Sequence, residues 1–156
     1  MAVLSRLDVD MCNLHAGGTV NMMKAAIEGL TREDGTRPIL IAVTQLTSTD
    51  QESMEKDLLI KEPIDQVVMH YASNAKSAGL DGVVCSPLEA AIIKELGLIS
   101  VTPGIRFADD SANDQKRIAT PAFAKENGST YSVVGRSITG AEDPVAAYKK
   151  CVKEFC

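Results

Sequence analysis

No apolar run in this 156-residue sequence approaches the ~18 residues needed to cross a bilayer, so a membrane-spanning helix is not expected. The N-terminal string Met1-Ala-Val-Leu-Ser-Arg6 has no apolar h-region and no small-residue cleavage site. A secretory leader is therefore not expected, and the cytoplasm is the expected compartment. Basic charge is also scarce. Lys and Arg number 16 against 21 Asp and Glu, a formal charge of −5. That balance argues against a broad nucleic-acid surface, because duplex binding rests on basic residues that displace counterions from phosphates. Any phosphate bound is expected to be small and locally gripped. The four cysteines, Cys12, Cys85, Cys151 and Cys156, form no C-x-x-C pair and have no histidine partner at metal-ligand spacing. A zinc site or a disulfide framework is not expected from them; buried or incidental thiols are.

What remains is the composition of a soluble globular chain, 45% hydrophobic and 24% charged, of a length suited to one domain spanning 1–156. Short apolar runs alternate with amphipathic segments about five times, the pattern of βα units and a parallel sheet. Strands are predicted at Met11–His15, Ile39–Thr44, Gly82–Cys85, Ile99–Thr102 and Tyr131–Val134. Their shortness suits strands buried on both faces. Helices are predicted over Val20–Leu30, from Pro63 to near Gly79, over Pro87–Gly97 and from Asp143-Pro144 to about Phe155. Proline suits a first helical turn and glycine a left-handed cap, which sets several of these limits. No repeat or linker interrupts the alternation.

In parallel βα architectures ligands sit beyond the carboxyl ends of the strands, and in β/α barrels phosphate is often held after the last two. The strand ends read His15-Ala-Gly-Gly18, Thr44-Gln-Leu-Thr-Ser48, Cys85-Ser-Pro87, Thr102-Pro-Gly-Ile-Arg106 and Val134-Gly-Arg-Ser-Ile-Thr139. Gly135 lets the backbone approach an anion, and Arg136 supplies a guanidinium that can fork onto phosphate oxygens. Arg106 opens a polar loop through Asp109, Asp110, Asn113 and Gln115, long enough to fold over a ligand as a lid. Spacing alone fits equally well a pair of solvated arginines beside ordinary turn glycines. His15 at a strand end could be a general base, but a structural histidine with its hydrogen bonds satisfied is the expectation. His70, mid-helix beside Tyr71, is expected to be a packing or surface residue, and Asp109-Asp110 a solvated pair rather than a metal site.

Six collinear strings resemble bacterial orotidine 5′-phosphate decarboxylases: Asn13-Leu-His-Ala-Gly-Gly18, Leu40-Ile-Ala-Val-Thr-Gln-Leu-Thr-Ser48, Gly79-Leu-Asp-Gly-Val-Val-Cys-Ser86, Val101-Thr-Pro-Gly-Ile-Arg106, Ala112-Asn-Asp-Gln115 and Val133-Val-Gly-Arg-Ser-Ile-Thr139. The resemblance covers nearly the whole chain. It implies an α/β fold, a partial TIM-type (β/α) barrel of about five βα units of the ribulose-phosphate-binding type. It also implies conversion of orotidine 5′-phosphate to uridine 5′-phosphate in pyrimidine biosynthesis, without cofactor or metal, by a homodimer. Carried over motif by motif, Arg136 and the Gly135 backbone would hold the phosphate. Gln115 would bridge phosphate and pyrimidine, Arg106 would shape the phosphate pocket, and Thr47 would meet the pyrimidine edge. Remote phosphate binding of this kind can stabilise a transition state at a distant carbon.

One departure from the resemblance concerns the chemistry itself. The family uses an Asp-x-Lys-x-x-Asp motif on its third strand, with a further Lys on the second and an Asp on the first. This sequence holds no such string; Asp114-x-Lys116-x-x-Ala119 lacks the last carboxylate and falls in the lid loop. By resemblance Met1 lies in the helix before the fourth barrel strand, so the first three strands are expected to be missing. The expectation is the phosphate- and pyrimidine-binding C-terminal part of a decarboxylase, with no catalytic residue of its own and inactive alone. The alternative is a non-catalytic nucleotide-phosphate-binding remnant. Another sugar-phosphate enzyme of the same barrel type is a weaker third, opposed by the Thr-Gln-Leu-Thr-Ser and Asn-Asp-Gln strings.

Overall fold

A computed structural model of the chain describes residues 1–108 and 117–156. Five strands form one parallel sheet: β1 (Met11–His15), β2 (Ile39–Val43), β3 (Gly82–Val84), β4 (Ile99–Thr102) and β5 (Tyr131–Ser132). Their spatial order is β1-β2-β3-β4-β5, so each strand pairs with its neighbour in sequence. A doubly wound sheet reverses its order at a switch point, whereas a barrel keeps it. The sequential order is that of an arc of a β/α barrel.

Between the strands run α1 (Thr19–Leu30), α2 (Gln51–Asp57), α3 (Ile64–Ala78), α4 (Ala90–Glu95) and α5 (Pro121–Glu126), and after β5 come α6 (Arg136–Thr139) and α7 (Pro144–Phe155). Their limits follow local chemistry. The Asp143 carboxylate accepts the Ala146 amide at 3.0 Å with Pro144 in the first turn, which starts α7. Gly79, at φ +92°, closes α3 in the left-handed conformation that glycine adopts without strain. Of the three helices not anticipated, α2, α5 and α6, the first two are capped in the same way. Asp50 accepts from the Ser53 amide at 2.9 Å, and Thr120 accepts from Phe123 at 3.2 Å ahead of Pro121. The expected helix over Pro87–Gly97 begins instead as a 3₁₀ turn, Pro87–Glu89, before α4.

Register decides which face of the sheet is covered. Residues paired across neighbouring strands share a face, and successive residues alternate. The row Leu14, Ala42, Val83 and Ser100 is buried throughout, and its apolar members pack in one core with Met23 and Leu30 of α1, Val68, Ala72 and Ala75 of α3, and Ile93 of α4. Fully burying each large apolar side chain of this kind contributes about 1.5–3 kcal/mol. The opposite row runs His15, Val43, Val84, Val101 and Tyr131. It is buried only at Val43 and becomes exposed at both ends, with His15 and Tyr131 open to solvent. This face, the interior of a closed barrel, is therefore only partly covered. Among the described residues, β1 and β5 each have a strand on one side only. No helix among the described residues is long and apolar enough to cross a membrane.

At the lower end of the sheet, Asp81 ties β2 to β3. Its carboxylate accepts the Leu40 amide at 2.7 Å and both terminal nitrogens of Arg37, with Nη2 at 2.9 Å. Burial pushes the Asp81 carboxyl up, but the Arg37 hydrogen bonds, the Leu40 amide and the Arg37 charge together hold it below its ordinary value.

Candidate functional site at the strand ends

Because all five strands run the same way, the segments after their carboxyl ends gather on one rim. The loop after β2 carries Thr44, Gln45 and Thr47, all three buried although polar. Thr44 is held by β3: its amide and hydroxyl both donate to the Val84 carbonyl, at 3.1 and 2.8 Å. The turn after β4 passes through Gly104, at φ +82°, where an added Cβ would stand 3.0 Å from the Arg117 carbonyl and 3.5 Å from Thr47. The backbone of the β4 turn thus lies against the loop bearing Thr47, and glycine is what permits the approach.

Arg106 is only 6% exposed. Its amide donates to the Ala119 carbonyl at 3.0 Å, and Ile105 forms an isolated parallel bridge with Ala119. The guanidinium Nη1 donates to the Ile105 carbonyl at 2.8 Å, while the buried Nε has no acceptor among the described residues. A buried guanidinium with an unused donor is costly, and an anion that supplies oxygens offsets that cost. The Ser137 hydroxyl also donates to the Ile105 carbonyl, at 3.5 Å. That shared acceptor brings the start of α6, Gly135-Arg136-Ser137, beside the Arg106 guanidinium.

The strand expected over Tyr131–Val134 is shorter, and the helix α6 that follows it was not anticipated. The Val133 amide still donates to Thr102 at 2.9 Å, but β5 itself ends at Ser132 rather than Val134. Gly135 and Arg136 are exposed there, and an added Cβ at Gly135 would meet nothing within 4 Å. The backbone at Gly135 is open to an approaching group. Of the five residues singled out from sequence, Thr47, Arg106, Gly135 and Arg136 stand on this rim; Gln115 lies outside the described residues, as do Asp109, Asp110 and Asn113.

Other candidates separate from the site. His15, expected to be a structural histidine with its hydrogen bonds satisfied, is exposed at the end of β1, and exposed His70 bonds Asn74 at 3.1 Å on the surface of α3. Cys85 is fully buried; burial, and then the Glu89 charge, push its thiol up to about 12. It stays protonated at neutral pH and is no nucleophile. All four cysteines are free, and no group of three metal-ligating side chains occurs among the described residues.

Sequence reasoning missed two features of this rim. Arg117 and Glu89 form an ion pair 28 residues apart in the chain, each side chain 11% exposed. Lys150 of α7 lies 4.3 Å over the ring of Phe107, a cation–π contact that docks the last helix against the turn after β4. Neither has a local signature, since both pairs join segments far apart in sequence.

Comparison with known proteins places the chain in a described group. The family model for "Orotidine 5′-phosphate decarboxylase / HUMPS family" matches residues 1–151. An orotidine 5′-phosphate decarboxylase of Bacillus cereus (strain Q1) is 56% identical over 161 residues, covering 99% of this chain and 68% of the relative. The crystal structure of orotidine 5′-phosphate decarboxylase from Lactobacillus acidophilus superposes with a TM-score of 0.81 at 40% identity, covering 99% of this chain and 66% of that one. The decarboxylase from Pyrococcus horikoshii OT3, 18% identical with a TM-score of 0.67, shares the fold over 99% of this chain and 66% of its own. The chain thus spans about two thirds of the length of the relatives it matches.

Proposed function

The chain belongs to the orotidine 5′-phosphate decarboxylase / HUMPS family, and from that premise we propose that it carries the nucleotide-gripping part of an orotidine 5′-phosphate decarboxylase. In this reading Arg106, Arg136 and the Gly135 backbone hold the 5′-phosphate of orotidine or uridine 5′-phosphate. Thr47 meets the pyrimidine edge and Gln115 spans the two. The observation that carries the reading is the meeting of two chain segments at the Ile105 carbonyl. The buried Arg106 guanidinium, with an unused Nε, and the start of α6 both bond to that one acceptor. A guanidinium beside an open glycine turn suits a phosphate dianion better than an apolar or cationic ligand.

The chemistry needs groups beyond this set. Loss of carbon dioxide leaves a carbanion on the pyrimidine that must be stabilised and protonated. The sequence has no Asp-x-Lys-x-x-Asp string, and the rim described above offers arginines but no lysine among its proposed binding residues. Full activity therefore requires the strands that supply that motif, in the homodimeric enzyme that the family resemblance implies. The same lack favours a second reading, a binding remnant without catalysis. Neither reading calls on a metal or cofactor. Calorimetry with uridine 5′-phosphate and with uridine tests the binding reading. The phosphorylated ligand should bind at least tenfold more tightly, and equal affinities would remove the phosphate site. Incubation of the mass-verified chain with orotidine 5′-phosphate should give no turnover above the uncatalysed rate; turnover would place a catalytic group in these residues.

A further inference from the structure

We infer that Arg117 and Glu89 form a brace that positions the loop bearing Thr47, and so belong to ligand recognition without touching the ligand; this rests on the proposed role of Thr47. Three consecutive carbonyls of the loop after β2 accept hydrogen bonds from the one residue Arg117. Its Nη2 donates to Gln45 at 3.2 Å and Leu46 at 3.1 Å, and its backbone amide donates to Thr47 at 3.2 Å. Nη1 pairs with Oε1 of Glu89. The other oxygen of Glu89 accepts the Ser86 amide at 2.6 Å, just beyond β3. The Arg117 carbonyl lies against Gly104 in the turn after β4. One guanidinium and its backbone therefore join the ends of β2, β3 and β4.

The physical question is why a charged pair holds this place. A buried ion pair is a poor stabiliser, because desolvation offsets most of the Coulomb attraction, and an apolar pair would pack as well. A guanidinium differs in direction: its planar fork offers donors at fixed angles to a carboxylate on one side and to carbonyls on the other. Gln45 and Thr47 are both buried. Their loop crosses to α2 outside the sheet ladder, and the brace supplies the bonds that the ladder does not. Charge here orients a loop, and the loop orients Thr47.

The test compares the parent chain with Arg117→Lys, Glu89→Gln and Arg117→Ala. Lysine keeps the charge opposite Glu89, but one ammonium cannot reach a carboxylate and two carbonyls in this arrangement. Amide hydrogen exchange is followed by mass spectrometry over 44–50, with α3 as the internal reference. The expected result is an acceleration of at least tenfold over 44–50 in the Lys and Gln variants while α3 is unchanged. Should Arg117→Ala not fold, those two variants decide. Unchanged exchange over 44–50, or acceleration spread evenly over the sheet and α3, would overturn the brace. In parallel, uridine 5′-phosphate should bind about tenfold more weakly to Arg117→Lys, with inorganic phosphate bound as by the parent; an equal loss for both probes would also overturn it. Failure of the parent to bind either probe would refute the proposed function, and the exchange result would still decide the brace.

Discussion

Replacement of Arg106 by methionine should separate stability from binding. Arg106 is buried, and among the described residues its guanidinium makes one bond, to the Ile105 carbonyl, and leaves Nε unpaired. That bond contributes about 0.5–1.5 kcal/mol, while the unpaired donor costs about 1–3 kcal/mol. Methionine fills a similar length with apolar atoms and removes both, and the Ile105 carbonyl keeps the Ser137 hydroxyl at 3.5 Å. The free chain should therefore be unchanged or up to about 1 kcal/mol more stable, a rise of up to about 3 °C in Tm for a domain of this size. With a bound phosphate the balance reverses. A charge-assisted hydrogen bond of about 1.5–3 kcal/mol is lost, and affinity for uridine 5′-phosphate should fall about 10- to 150-fold. Thermal unfolding by circular dichroism and titration calorimetry measure the two sides. A Tm lowered by several degrees with affinity intact would show that Arg106 is a structural residue and would refute the phosphate assignment.

Three further outcomes follow from other parts of the molecule. Arg136→Ala should weaken uridine 5′-phosphate binding by about 2 kcal/mol, with little change in Tm because the side chain is exposed; equal calorimetric affinities would remove it from the site. Asp81→Asn should cost about 1 kcal/mol at neutral pH, a modest figure because the Arg37 pair is partly exposed. Since the folded Asp81 carboxyl lies below its unfolded value, its contribution is present above about pH 5 and is lost as pH falls through the lowered value. The unfolding midpoints of parent and variant in denaturant should accordingly converge as acidity protonates the folded Asp81 carboxyl, and a constant gap would refute the assignment. Gly82→Ala should destabilise by about 3 kcal/mol or prevent folding, because the new Cβ would stand 2.3 Å from the Ile99 carbonyl oxygen in the neighbouring strand; an unchanged unfolding midpoint would show that β3 and β4 can separate.

Local chemistry alone determined much of this protein. Period-two and helical hydrophobic patterns, Asp143-Pro144 at one helix start and Gly79 at another's end act within a few residues, so β1, β4, α3 and α7 were legible within a residue or so of their limits. The strings at the strand ends marked where Thr47, Arg106 and Arg136 would lie, because parallel strands must deliver their carboxyl ends to one rim. Tertiary structure decided the surroundings of those residues. It buried Arg106 and left its Nε without an acceptor among the described residues, and it brought Ser137 to the same carbonyl. It ended β5 at Ser132 so that the chain could turn into α6. The Glu89–Arg117 pair shows the division most clearly. Each residue is an ordinary charge in its own segment, and only the closure of β3 against β2 and β4 places them in contact, with three carbonyls of the Thr47 loop within reach of one arginine.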